Sequence, residues 1–561
     1  MNDIIIVRPE KCVGCNACVR TCPAPEANIT KMLDNGRFVT TVNPDRCINC
    51  GECVRTCNHG ARDYIDDTEA CMSKVSKERL IIFATPAIKS VFPNQWKNIL
   101  DWFKERACFI YDVSLGADIC TWAHLRSIQD KKVGNLITQP CAAIVKYIET
   151  YQPDLLNNLA PIHSPIACAA AYVKRYLKLT YPIAVLSPCI AKKSEFMETG
   201  LVDYNVTFKK LKEYFDKNDI KIPTHSTSEY TYVFDDHQGQ VGAIYPRPGG
   251  LRDNIWLHEP DINITTSEGV HKVYPELNMY ARMPEHKHPE VFDVLSCEYG
   301  CNVGPGSGTE YTVFDAMATM REVEKEAKKR RKTGVFKSGE DRLFKRFDEE
   351  LNISDFMRSY RPTKPSPMPT DDQLNAVFES MGKHTTAERS FNCHACGYSS
   401  CKDMAIAICR GLNNPENCIV HAKSVLVARH SELTTQHERL AEITNDCMEL
   451  AERLKNNMKD ITDNMNTISE SNVKTSERAG VVNELLKNIV TFCNDNSTMD
   501  AESVKQMVAI LETTIKAFSA LDDNVNATNE SSAVINKMIG EISGLVEEIN
   551  DTLTQTQTQS A

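Results

Sequence analysis

The chain has 561 residues, 42% hydrophobic and 25% charged, with a formal net charge of -11 and 23 cysteines. That length holds three or four domains, and the balance is that of an ordinary globular protein. No basic run marks a nucleic-acid or membrane footprint, and no apolar segment is long enough to span a bilayer. The start, MNDIIIVRPEKCVGC, lacks a secretory signal, so the cytoplasm is expected. Cysteines at short regular spacing in such a chain read as metal or cluster ligands, since disulfides are rare in a reducing cytosol. Thiolate-bound iron also suits an oxygen-poor cell.

Residues 1–70 carry an internal repeat. Cys12, Cys15, Cys18 and Cys22 recur in the same spacing as Cys47, Cys50, Cys53 and Cys57. In this bacterial ferredoxin arrangement the fourth cysteine of each run ligates the other cluster. One [4Fe–4S] cluster is therefore expected on Cys12, Cys15, Cys18 and Cys57, and a second on Cys47, Cys50, Cys53 and Cys22. Zinc sites use paired spacing, not four thiols in a run. The expected fold here is an α+β dicluster ferredoxin-like domain.

Residues 71–355 read as an α/β domain. RLIIFATPAI and YPIAVLSPC are short buried strands that end at cysteine- or proline-bearing loops, and NQWKNILDWFKERA is an amphipathic helix. Such folds place their chemistry at the C-terminal ends of strands. Three segments bring four thiols here: TQPC ending at Cys141, PCIAKKSE with Cys189, and CEYGC with Cys297 and Cys301. Thiols from separated segments suit one cubane inside a folded core, with Cys301 free to hold a second metal unit.

Residues 356–385, with RPTKPSPMPT at 361–370, read as a proline-rich linker. Over 386–424 comes a compact set, Cys393, Cys396, Cys401 and Cys418, similar to the small helical cluster-binding domains of multi-cluster redox proteins. Zinc is the rival ligand there. Cys409 reads as a packing residue. From 425 to 561 an all-α tail is expected. Leu426, Leu433, Leu440, Cys447, Leu454, Ile461 and Ile468 repeat every seven residues, as do Ile535, Ile542 and Ile549, the mark of a coiled-coil seam. Its Asn, Ser and Thr content is similar to that of chemotaxis-receptor hairpins. An oligomerisation stalk, a homodimer first, and a signalling output are both open.

The three cysteine segments at Cys141, Cys189 and Cys297–Cys301 resemble the signature motifs of [FeFe] hydrogenases, in the same order and at similar separations. The resemblance implies an H-cluster: a [4Fe–4S] cubane on those four thiols, bridged through Cys301 to a diiron unit carrying CO, cyanide and a dithiolate. It implies that Lys192 donates to a cyanide ligand and that Glu195 balances this lysine. Alone, the KKSE run reads as solvated surface. Thr85 and Pro86, and Ser164 with Pro165, fall at cofactor-facing positions of the family. The chain departs from the pattern at Pro140, where the family has a proton-relaying cysteine, and at Ile166, Ser187 and Leu295. Cys120 and His124, in GADICTWAH, are candidates to move the proton instead. The rival reading makes them ordinary packed residues.

Three functions follow from the resemblance. The first is a hydrogenase interconverting H2 with protons and electrons, relayed through three [4Fe–4S] clusters to a ferredoxin-like partner. The second is an H2 sensor that signals through the tail to a further partner. The third is a hydrogenase-like iron–sulfur scaffold without the diiron unit.

Overall fold

The computed structural model describes residues 4–129, 134–224, 232–308, 311–334, 341–495 and 500–560. Met1–Ala422 form one compact unit and Lys423–Ala561 a second.

The first unit begins with two antiparallel pairs. Strand β1 (Ile5–Val7) pairs with β4 (Arg62–Tyr64), and β2 (Asn28–Met32) with β3 (Phe38–Val42). Between them lie the one-turn helices Ala17–Arg20 and Glu52–Thr56, each started by a left-handed residue, Asn16 and Gly51. The cysteine spacing thus folds as α+β, the tight turns after Cys15 and Cys50 bringing successive thiols round to one side.

The α/β part is built on two parallel sheets. One has the order β6-β5-β8-β9, from Phe109–Asp112, Ile81–Ala84, Ile183–Ser187 and Tyr204–Thr207. The other has the order β10-β11-β7, from Ile264–Glu268, Val291–Leu295 and Leu136–Ile137. Strands β5, β8 and β11 are buried at every residue. They read as continuous apolar runs because parallel sheets are covered on both faces. The strands expected in RLIIFATPAI and YPIAVLSPC are β5 and β8, and the amphipathic helix is Trp96–Lys104, which buries Ile99, Leu100 and Phe103.

The stretch expected as a linker is only partly extended. Thr370 and Gln373 form a reciprocal capping box that starts the helix Asp371–Ser380. Leu374 and Phe378 of that helix pack with Cys401 and Ala405 of the helix Cys401–Cys409. Apolar spacing of four residues behind a Thr-x-x-Gln cap was enough to make a helix despite the prolines before it.

In the second unit the helices Ile419–Asp495 and Ala501–Ser560 pair as a hairpin. Asn472 donates to Asn529 at 3.1 Å, Ser476 meets Asp522, and Cys493 Sγ lies 3.7 Å from Met507 Sδ. One index falls as the other rises, so the pairing is antiparallel. The side chains buried by it are Thr444, Ala451, Met458, Ala479 and Cys493 on the first helix and Val525, Ser532, Ile539 and Val546 on the second. These form a heptad register beside the one expected. Leu454, Ile461, Ile468, Ile535, Ile542 and Ile549 instead stay 39–52% exposed. Among the described residues no helix is long and apolar enough to cross a membrane.

Candidate metal centre

The C-terminal ends of both parallel sheets face one cavity of about 100 Å³, lined by Cys141, Cys189, Cys297 and Cys301. Cys141 follows β7, Cys189 follows β8, and Cys297 and Cys301 follow β11, so ligands come from both sheets. A volume several times that of a water molecule bounded by four thiols suits a multi-atom group. Thr85 and Pro86, after β5, line the same space, as do Lys192 and Pro165. Three helices begin at its wall: Ala142–Tyr151 with Cys141 as N-cap, Pro165–Arg175 with Ser164 as N-cap, and Lys192–Thr199. Their positive ends make the cavity favourable for an anionic group.

Local chain geometry holds the thiols in place. Cys189 N donates to Ser187 Oγ at 3.0 Å, and Cys301 N donates to Pro246 O at 2.7 Å. Gly300 has φ +76°, and a Cβ there would lie 2.3 Å from Pro246 O. The CEYGC turn therefore admits only glycine at that point.

Burial, joined by the charges of neighbouring thiols, pushes the Cys301 thiol up to about 12 and Cys189 to about 11, and raises Cys297 well above the usual value. Thiols this dry and this crowded hold negative charge only when a metal cation compensates it. The donor set fits an iron–sulfur group. The same holds in the N-terminal domain. Cys22 is pushed up to about 12 by burial and by Cys47, and Cys50 and Cys53 are raised for like reasons. Cys12, Cys15, Cys18 and Cys57 bound a cavity of their own, as do Cys393, Cys396, Cys401 and Cys418. Among the described residues no three His, Cys, Asp or Glu side chains converge as a single ion requires. Cys409 lies outside its set, its Sγ 3.6 Å from Gln373 O.

The Lys192 side chain is buried against Glu195, and Arg358 Nη1 donates to Glu195 Oε1 at 3.3 Å. Burial alone would raise the Glu195 carboxyl, but Lys192 and Arg358 outweigh it and hold it below the usual range. Lys192 and Glu195 of the KKSE run are thus interior, while Lys193 and Ser194 are half-buried. Thr85 Oγ1 donates to Leu186 O at 2.8 Å, tying the loop after β5 to β8.

Pro140, Ile166, Ser187 and Leu295, the four departures, all line the cavity. Cys120 and His124 do not. They sit fully buried on the helix Val113–Gln129, behind Val113 and Ala117, which do line it. Cys120 Sγ lies 3.7 Å from His124 Nδ1, and that nitrogen lies 2.7 Å from Cys120 O. Against the effect of burial, hydrogen bonding to Cys168 and pairing with His124 depress the Cys120 thiol, and the pairing raises His124. Tyr245 lies between this pair and the cavity: it lines the wall, shares a 2.9 Å bond with Thr121 Oγ1, and feels the charge of the Cys120 thiol.

Sequence reading missed Tyr245, Cys168, Arg358 and Arg62. Arg62 is buried and donates to Cys18 Sγ at 3.3 Å. None stands in a cysteine motif, and only the fold brings them to the thiols. The junction of the dicluster and α/β parts was also unseen. Gly51, beside Cys50, has φ +80°, and a Cβ there would lie 2.6 Å from Ile190 and 2.9 Å from Pro305. Cys50 itself reaches the wall of the four-thiol cavity.

Comparison with known proteins agrees with this geometry. Residues 83–305 match the C-terminal domain of the iron-only hydrogenase large subunit, residues 11–61 a 4Fe-4S dicluster domain, and residues 390–420 a putative Fe-S cluster domain. The chain is 22% identical over 246 residues to iron hydrogenase 1 of Clostridium pasteurianum, a match covering 35% of this chain and 42% of that one. It thus spans less than half the length of that curated relative. Among solved structures it is similar to an [FeFe]-hydrogenase studied for stepwise H-cluster assembly (12% identity, TM-score 0.40, 53% of this chain and 99% of that one). It is also similar to a variant [FeFe]-hydrogenase of Chlamydomonas reinhardtii (12% identity, TM-score 0.41, 54% and 100%).

Proposed function

We infer that this chain, whose residues 83–305 match the C-terminal domain of the iron-only hydrogenase large subunit, with an iron–sulfur domain on either side, is an [FeFe] hydrogenase. It interconverts H2 with two protons and two electrons. The observation that carries this reading is the meeting of Cys141, Cys189, Cys297, Cys301 and Lys192 around one cavity. An H-cluster held there supplies the soft, electron-rich metal that splitting H2 requires and that no side chain provides.

The chain's own residues do the rest. The four thiols, Cys301 among them, would hold the H-cluster. Lys192, fixed by Glu195, presents a buried ammonium to an anionic ligand, a charge-assisted hydrogen bond. Thr85 and Pro86 shape the wall, and Ser164 caps the helix that begins there at Pro165. Pro140 has no ionisable group, so Tyr245 and the Cys120–His124 pair take the proton at the Tyr245 hydroxyl and pass it inward. Cys12, Cys15, Cys18 and Cys57, with Cys22, Cys47, Cys50 and Cys53, hold two [4Fe–4S] clusters, and Cys393, Cys396, Cys401 and Cys418 a third. A ferredoxin-like protein is the electron partner.

A second reading, an H2 sensor, is favoured by two observations. Pro140, without an ionisable group, stands at the cavity wall, where slow turnover would suit a sensor and a fast rate would exclude one, and a long helical hairpin follows the last cysteine set. A simple enzyme has no need of that hairpin.

The test is an infrared spectrum of anaerobically matured protein before and after H2. Bands of bound CO and cyanide that shift under H2 support the reading, and the Cys301→Ala variant loses them while keeping the N-terminal cluster signals. A fully matured wild type without such bands leaves an iron–sulfur scaffold. Turnover rate then separates enzyme from sensor.

A further inference from the structure

The hairpin of residues 423–561 has two unlike faces. On its first helix, Thr444, Ala451 and Met458 are buried at one heptad position. Leu454, Ile461 and Ile468, three residues after that position, lie 43–45% exposed beside it. The second helix repeats this: Val525, Ile539 and Val546 are buried, and Ile535, Ile542 and Ile549, again three residues on, are 39–52% exposed. One position before the buried set come Leu450, Met538 and Leu545, at 54–64% exposed. In an α-helix these two positions lie on the same flank of the buried seam. Because the helices run antiparallel, like flanks fall on the same face of the hairpin. The opposite flank is charged, with Glu452, Lys455 and Lys459 exposed one or four residues after the buried positions.

We propose that this apolar face packs against the same face of a second copy of the chain, two hairpins closing a four-helix bundle. A fully buried Leu or Ile side chain corresponds to roughly 100 Å² of apolar surface. The nine half-exposed side chains therefore offer on the order of 500 Å². That is the size of the largest apolar patch on a typical monomer, which is often functional, and is more than half of the ~800 Å² one partner brings to a standard-size interface. The stripe keeps a seven-residue period on both helices, so its complement is a pair of antiparallel helices with the same period and length. The chain's own hairpin is that object, and an isologous two-fold contact uses it twice. The inference is independent of the metal site.

Light scattering on the full-length, anaerobically purified chain at micromolar concentration tests it. The expected mass is twice the 63.0 kDa of one chain. Leu454→Gln, Ile461→Gln and Ile542→Gln together should give the single-chain mass with unchanged far-UV helicity, since they leave the hairpin's own seam intact. A wild type of single-chain mass, a co-purifying polypeptide in place of the second copy, or an unaltered dimer in the triple variant overturns the proposal. Should the variant lose helicity, lysine cross-linking of mixed 14N- and 15N-labelled wild type decides. Links between copies within 423–561 support the bundle, and links between copies confined to 1–422, or none, refute it.

Discussion

Arg358 donates to Glu195 across 163 positions of the chain, at 3.3 Å. The carboxylate that holds Lys192 is thus shared with a cation from beyond the matched catalytic segment. Removing one partner of a buried ion group leaves a charge uncompensated and costs about 3–5 kcal/mol. Arg358→Gln and Glu195→Gln should both lower the denaturant midpoint, Glu195→Gln more, because it leaves two cations facing each other. The folded carboxyl lies below its unfolded value of about 4.3. Its contribution is therefore complete above that value and fades as pH falls through the lower folded one. Wild-type and Glu195→Gln stabilities should differ by a constant amount near neutrality and converge in acid. A difference that persists unchanged into strong acid would show that the carboxylate is not ionised in the fold.

If Tyr245, Cys120 and His124 carry the proton, Cys120→Ser should slow H2 evolution by about a hundredfold, the low side of general acid–base effects. The infrared bands of the bound cofactor should stay in place. Pro140→Cys puts a thiol on the cavity wall and should restore the rate in the Cys120→Ser background. An unchanged rate in Cys120→Ser returns the pair to the role of packed interior.

Arg62 touches Cys18 and lies among the thiols of both N-terminal sets. Replacing it with Gln removes a buried positive charge from beside reducible centres, one of the levers on their potential. The N-terminal clusters should become harder to reduce by about 60 mV, a tenfold change in equilibrium constant for one electron. Redox titration followed by electron paramagnetic resonance measures this. A shift of the opposite sign would mean that Arg62 acts only through packing.

Gly51→Ala meets both a left-handed backbone and a contact at 2.6 Å. The strain is of order 1–3 kcal/mol, placed where the dicluster meets the α/β part. The variant should lose thermal stability and exchange amide hydrogens faster around Ile190 and Pro305. Gly60→Ala, also at positive φ but with open space around its Cβ, is the control: it meets the backbone strain alone and should lose less stability than Gly51→Ala.

Motif spacing made the thiol sets legible, because cluster ligation demands cysteines at fixed offsets and little else in a chain does. Strands β5 and β8 were legible for a similar reason, being continuous apolar runs that end at those loops. The partners of the thiols were not. Arg62, Tyr245 and Arg358 are single polar residues whose environment exists only once distant elements pack. The tail shows a different limit. A seven-residue period announces a seam but not its owner: the repeat of Leu454, Ile461 and Ile468 was visible, while the hairpin closes on the neighbouring register of Ala451 and Met458. The helix Asp371–Ser380 was hidden by the prolines ahead of it.

The four central thiols are divided between two sheets that do not share a hydrogen-bonded strand: Cys189 stands on one, and Cys141, Cys297 and Cys301 on the other. Whatever these sulfurs jointly grip becomes a rivet through both plates. Chemistry and mechanical cohesion then rest on the same four atoms, and a substitution that spoils the grip loosens the seam between the sheets along with the reaction.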